Sequence, residues 1–200
     1  MAFAAALWLW ERFVGALPGE RAIKPWFTGE PNPPGSDNAA VFFGSLGSAA
    51  IAGPMVLLGG LALARRLGPR YAVLLAAAAA VVVLTSALKA VLGPTPLWVE
   101  WFGAKDVNFP SGHAAYAASA FGFVVVVARA AGWLEVAAAA GMVIGGMGPA
   151  ALLARSHLPS DILAGYALGT AWLLVLLVYG LPWASGAPAP RPPARRRARP

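Results

Sequence analysis

Residues 71–88, YAVLLAAAAAVVVLTSAL, contain no Asp, Glu, Lys or Arg. A helix of this composition has no polar face to turn towards water, and its length approaches the ~20 apolar residues that cross a hydrocarbon core. Four further stretches, 39–64, 107–128, 136–154 and 162–190, are equally free of charge. Backbone polar groups in hydrocarbon must be satisfied within the segment, which makes these stretches helices. The composition agrees, with 59% hydrophobic and 12% charged residues against roughly 45–50% and 25% in soluble domains. The expectation is an all-α fold, a polytopic membrane helical bundle with spans at 39–64, 71–92, 111–130, 134–154 and 160–182.

Outside these spans the chain divides simply. Residues 1–17 are apolar but interrupted by Glu11 and Arg12, and no basic region precedes them, unlike a cleaved signal peptide. They read as a short or interfacial helix that would complete a six-helix arrangement. Residues 18–38 carry Pro, Gly and charges without periodicity and read as a solvated loop. The expected organisation is one integral-membrane domain over 1–182, with a five-helix core at 39–182. Residues 183–200 form a basic Pro/Ala/Arg tail that reads as disordered. Five of the fifteen basic residues lie in the last ten positions, so the net charge of +7 points to membrane lipid as partner and not to nucleic acid. Absence of cysteine excludes disulfides and thiolate chemistry.

Alternation of the five spans puts Arg65, Arg66, Arg70, Arg129, Arg191, Arg195, Arg196, Arg197 and Arg199 on one side, against Lys89, Lys105 and Arg155 on the other. The richer side is expected to be cytoplasmic. The localisation that follows is a multi-pass cell-membrane protein with a cytoplasmic C-terminal tail.

The two histidines, His113 and His157, then fall at the same outer boundary. A lone histidine in such a protein is commonly a hydrogen-bonded core residue, but each of these stands beside a Pro-Ser helix start. Ionisable groups at such positions are functional candidates by default. In Phe109-Pro110-Ser111-Gly112-His113, Ser111 is placed to cap the following helix, and the exposed amides beside Gly112 suit a phosphate. In Arg155-Ser156-His157-Leu158-Pro159-Ser160-Asp161, the carboxylate four residues after His157 could fix the ring's tautomer and stabilise its charged form. Asp161 would also complement the helix dipole whatever else it did. Lys89, the only charge between Arg70 and Glu100, could snorkel to the interface or offer a fixed charge to phosphate oxygens.

Lys89, the Pro110-Ser111-Gly112-His113 run and the His157–Asp161 segment, in this order, resemble the three signature motifs of the type-2 phosphatidic acid phosphatase family over about residues 39–182. The resemblance implies six helices presenting a site outwards, with no metal and no cofactor. It assigns His157 as the nucleophile that forms a phosphohistidine, Asp161 as its orienting partner and His113 as the general acid. Lys89, Ser111 and Gly112 would hold the phosphate. The implied function is hydrolysis of a lipid phosphate or diphosphate at the extracytoplasmic surface.

Two positions depart from the pattern. Pro96 stands where the first motif ends in arginine, seven residues after the lysine, and Ala151 stands six residues before His157, where the third motif also has arginine. Phosphoryl transfer depends mainly on positioning and charge stabilisation, so a substitute is needed. Arg155, two residues before His157, is the preferred one, ahead of Lys105. The alternative expectation is a noncatalytic lipid-binding or scaffold relative that lost turnover with its arginines.

Overall fold

The computed structural model describes residues 2–29, 36–103 and 108–186. Every regular element among them is helical, as expected from the sequence. Five stretches, Ala50–Leu67, Pro69–Leu92, Gly112–Ala130, Leu134–Leu153 and Pro159–Ser185, are long and apolar enough to cross a membrane. They are preceded by α1 (Ala2–Phe13), the 3-10 turn Glu20–Ile23, α2 (Lys24–Thr28) and α3 (Ser36–Leu46). With its 12 residues, α1 reaches about 18 Å, short of the ~30 Å hydrocarbon core.

The first span is α4 (Ala49–Leu67). Gly68, at φ 108°, turns the chain directly into α5 (Pro69–Ala79), with Pro69 at the first helical position, where its missing N–H is not needed. A turn at Ala80 separates α5 from α6 (Val81–Leu92). Beside that turn, Ser119 Oγ donates to the Ala78 carbonyl at 2.8 Å and Trp172 Nε1 to the Ala77 carbonyl at 2.8 Å. Side chains thus serve backbone oxygens at a depth where water cannot. A short helix, α7 (Pro96–Phe102), follows Gly93.

The third span comprises α8 (Gly112–Tyr116), a π-helical turn at Ala117–Phe121 and α9 (Gly122–Ala130). Of its residues 67% are buried, against 11% for the α4 stretch, which makes it the central helix and α4 a peripheral one. Next comes α10 (Leu134–Leu153). One residue before its Pro149, the Tyr166 hydroxyl enters the backbone ladder, accepting from Gly148 N at 2.9 Å and donating to the Ile144 carbonyl. The last span is α11 (Pro159–Val175), a π-helical turn at Leu176–Gly180 and α12 (Leu181–Ser185).

Helix α11 packs on α8 through Gly165 and Gly169. A Cβ at Gly165 would strike the Ser111 carbonyl, and one at Gly169 the Ala115 carbonyl. Small residues four apart allow this backbone approach inside a membrane. At the far end of the bundle, Leu63, Leu74, Leu75, Phe123, Val127 and Leu173 form the main core cluster. There Arg70 Nη1 donates to the Trp183 carbonyl at 2.9 Å.

Three expectations are corrected. The 39–64 stretch is not one helix. It breaks at Gly47-Ser48 between α3 and α4, and a Cβ at Gly47 would collide with the His113 ring. Residues 18–38 are not a solvated loop throughout, because Glu20–Ile23 and Lys24–Thr28 are helical, α3 starts at Ser36, and Glu20 and Phe27 are buried. The tail does not begin at 183, since Trp183–Ser185 complete α12. Its remainder from 187, with its five arginines, and Lys105 lie outside the described residues.

Candidate active site

The site is built where two helices begin side by side. Ser111, in extended backbone at φ −64° and ψ 116°, caps α8, its Oγ accepting from Ala114 N at 3.4 Å. The N-cap expected from sequence is therefore in place. A Cβ on the next residue, Gly112, would stand 3.4 Å from Thr85 Oγ1 of α6, an ordinary van der Waals contact. The Ser111 N–H itself donates to the Asp161 carbonyl at 2.9 Å, which joins the start of α8 to the first turn of α11.

At the start of α11, Asp161 Oδ2 accepts from Leu158 N at 2.8 Å and stands 3.5 Å from His157 Nδ1. That separation exceeds an ordinary hydrogen bond of ~2.7–3.2 Å, and Nδ1 and Asp161 Oδ1 are both buried without a hydrogen-bond partner. Burying unpaired polar groups is costly, and both unpaired atoms belong to this one imidazole–carboxylate pair. A carboxylate on the Nδ1 side leaves Nε2 as the nitrogen with an available lone pair.

The His113 and His157 rings lie 6.5 Å apart between centroids. Two positive charges at that separation repel by about 2–3 kcal/mol at an effective dielectric near 20. His113 Nε2 lies 3.2 Å from the Gly44 carbonyl of α3. A carbonyl only accepts, so Nε2 carries a hydrogen and Nδ1 is left for proton exchange. Lys89, half-buried near the end of α6, is close enough for its charge to act on both Asp161 and His113. The structure therefore brings Lys89, Ser111, Gly112, His113, His157 and Asp161 to one end of the bundle.

Arg155, expected as a phosphate ligand, contacts the cap segment. Its guanidinium lies 5.5 Å above the Trp26 ring and Nη1 donates to the Gly29 carbonyl at 3.4 Å. Its backbone takes φ 52°, the only described non-glycine residue in the left-handed region. The two positions without arginine are also accounted for. Pro96 opens α7, while Ala151 lines a cavity of about 40 Å³ with His113, Gly44 and Ser156 among its other walls.

Over this end lies a cap that sequence reasoning missed. Phe27 packs with Leu97, Trp98, Trp101 and Leu158, and Arg21 holds Glu100 through two hydrogen bonds of 3.0 and 3.2 Å. Lys24 adds a contact of 3.7 Å to the same carboxylate. Glu100 is thereby held below the usual carboxylate range, first by hydrogen bonding to Arg21. No spacing in the sequence marks these pairings. The tryptophans and phenylalanines near residues 26 and 100 were the only hint.

Among the described residues, no three His, Asp or Glu side chains stand together as metal ligands. No curated protein and no solved structure matches the chain. A family model described as the PAP2 superfamily matches residues 70–184. That is more than half of the 200 residues and includes both histidines, Asp161 and Lys89. The motifs, the paired helix starts and this match lead to one conclusion: the chain belongs to the PAP2 superfamily, the type-2 phosphatidic acid phosphatase family, whose members generally act on phosphoric esters.

Proposed function

We propose that this protein is an integral membrane phosphatase that hydrolyses a lipid phosphate or diphosphate through a phosphohistidine on His157. The observation that carries the reading is the His113–His157 pair, 6.5 Å apart, with Asp161 beside the Nδ1 face of His157. The Nε2 lone pair of His157 attacks phosphorus, and the bond from phosphorus to the lipid oxygen breaks. His113 gives its Nδ1 proton to that oxygen, releasing an alcohol or a lipid monophosphate. Water then attacks the phosphohistidine, His113 takes back a proton, and the P–N bond breaks to release inorganic phosphate. Asp161 stabilises the positive charge on His157.

Lys89, the amides beside Ser111 and Gly112, and Arg155 bear on the phosphate oxygens. For Arg155 this requires the guanidinium to leave the Gly29 carbonyl or to act from above Trp26. The histidines lie where the apolar spans begin, so a substrate keeps its tail in the bilayer while its head reaches them. The distribution of arginines favours an extracytoplasmic site with the C-terminal tail in the cytoplasm.

A second reading, a noncatalytic lipid-binding relative, is favoured by Pro96 and Ala151 at the two arginine positions. A phosphate-release assay on purified protein with a panel of lipid phosphates and diphosphates separates the two. Release that disappears in His113→Ala for substrates with poor leaving groups supports the enzyme. No release from any lipid supports the second reading.

A further inference from the structure

Glu20 lies outside the matched region, in a segment whose composition reads as loop, yet it is only 3% exposed. Its carboxylate is fully engaged. Oε2 accepts from Leu17 N at 2.8 Å, and Oε1 accepts from Ser160 N at 2.9 Å. Ser160 is itself 0% exposed and immediately precedes Asp161. A carboxylate delivered from 140 residues away thus satisfies an amide in the first turn of α11, where the helix leaves its N–H groups without intrahelical partners. The opposite side of that turn is held by Ser111 N on the Asp161 carbonyl.

We propose that Glu20 is the positioning residue of the His157–Asp161 pair: it clamps the first turn of α11 against the start of α8 and so sets where the Asp161 carboxylate meets His157. Asp161 has one oxygen on Leu158 N and depends on the backbone for its aim. A shift of the Ser160–Asp161 peptide moves that carboxylate relative to Nδ1, and displacements of ~1 Å at a reacting group cost up to 100-fold in rate. Glu20 is held in turn by its own segment, which Arg21 and Lys24 fasten to Glu100 of α7. The clamp therefore joins the outer cap to the site. Glu20 touches neither histidine in the contacts it makes, so its removal acts on turnover more than on substrate affinity.

The test compares Glu20→Ala with Glu20→Gln in the full chain in detergent, by two measurements. The first is amide hydrogen exchange of the peptide covering residues 156–162, which does not depend on catalysis. Faster exchange there in Glu20→Ala, with exchange within 134–150 unchanged and protection largely kept in Glu20→Gln, is the expected result. Unchanged exchange in Glu20→Ala overturns the proposal whether or not the protein is active. The second rests on the phosphatase reading and uses a lipid phosphate as substrate. Here kcat should fall ~10- to 100-fold in Glu20→Ala with KM within about twofold, and Glu20→Gln, which keeps an acceptor for Ser160 N, should recover most of the loss. A fall in KM-dependent rate only, or equal kcat in both variants and the parent, overturns it. A parent without turnover but with the expected exchange pattern counts against the phosphatase reading and for the clamp.

Discussion

Ser111 N donates to the carbonyl of Asp161 at 2.9 Å, so the residue that caps α8 and the residue that faces His157 share one backbone hydrogen bond. The two motif segments are therefore mechanically one unit, and their relative position is set by how closely α11 approaches α8. Gly165 and Gly169 decide that approach, since neither tolerates a Cβ without striking a carbonyl of α8.

Gly165→Ala is accordingly expected to push α11 away from Ser111. Overpacking of this kind costs about 1–3 kcal/mol, or ~2–4 °C in Tm per kcal/mol for a chain of this size. Turnover should fall more than stability, because the Ser111–Asp161 bond lies at the point of collision. Gly141→Ala is the control, for a Cβ there meets nothing within 4 Å. Thermal unfolding and phosphate release on both variants check the expectation, and equal behaviour of the two would refute it.

Arg155 combines a left-handed backbone with a guanidinium over Trp26, and substitutions can separate the two. The φ of 52° costs a non-glycine residue about 1–2 kcal/mol. Arg155→Gly should relieve that cost while removing the side chain, whereas Arg155→Ala removes the side chain and keeps the cost. If the guanidinium serves the phosphate, both variants lose turnover, and Arg155→Lys loses ~10-fold or more because an ammonium cannot replace the planar fork. Normal kcat in Arg155→Gly would show that the arginine serves only the cap.

The five spans were legible because a membrane demands the same thing of every residue in them, and composition alone reports it. The shared end of His113, His157 and Asp161 followed from alternation of those spans. The need for glycine at the Gly47 break was not legible, since the ring that a Cβ there would strike is that of His113 in a later helix. Glu20 was equally hidden, because its partner is the Ser160 amide, and backbone amides have no sequence signature. Local patterns carried the helix starts, and long-range pairing of single groups carried the remainder.

Glu100 gives the cap a pH dependence of known sign. Its carboxyl is held below the usual range by Arg21, so the stability it adds is present above the ordinary carboxylate pKa of about 4.3 and is lost as pH falls through the lower folded value. The pair is exposed, which keeps the effect small. The Tm difference between the parent and Glu100→Gln should therefore shrink towards zero on acidification. A difference that grows at low pH would contradict the assignment.

The orientation proposed from the arginines is open to labelling. Gly103→Cys and Ser185→Cys stand at opposite ends of the bundle in a chain without native cysteine. An impermeant thiol reagent applied to intact cells should label the first and spare the second. Labelling of Ser185→Cys alone would reverse the topology and place the histidines inside.

Phosphoryl transfer through His157 can be read out by trapping. Protein is mixed briefly with a lipid phosphate carrying radiolabelled phosphate, quenched in alkali, and its bound label counted. A label that survives alkali and is lost in acid, as a phosphorus–nitrogen bond requires, is expected to be present in the parent and absent in His157→Ala. Label that persists in His157→Ala, or turnover in the parent with no trapped label at all, would contradict it.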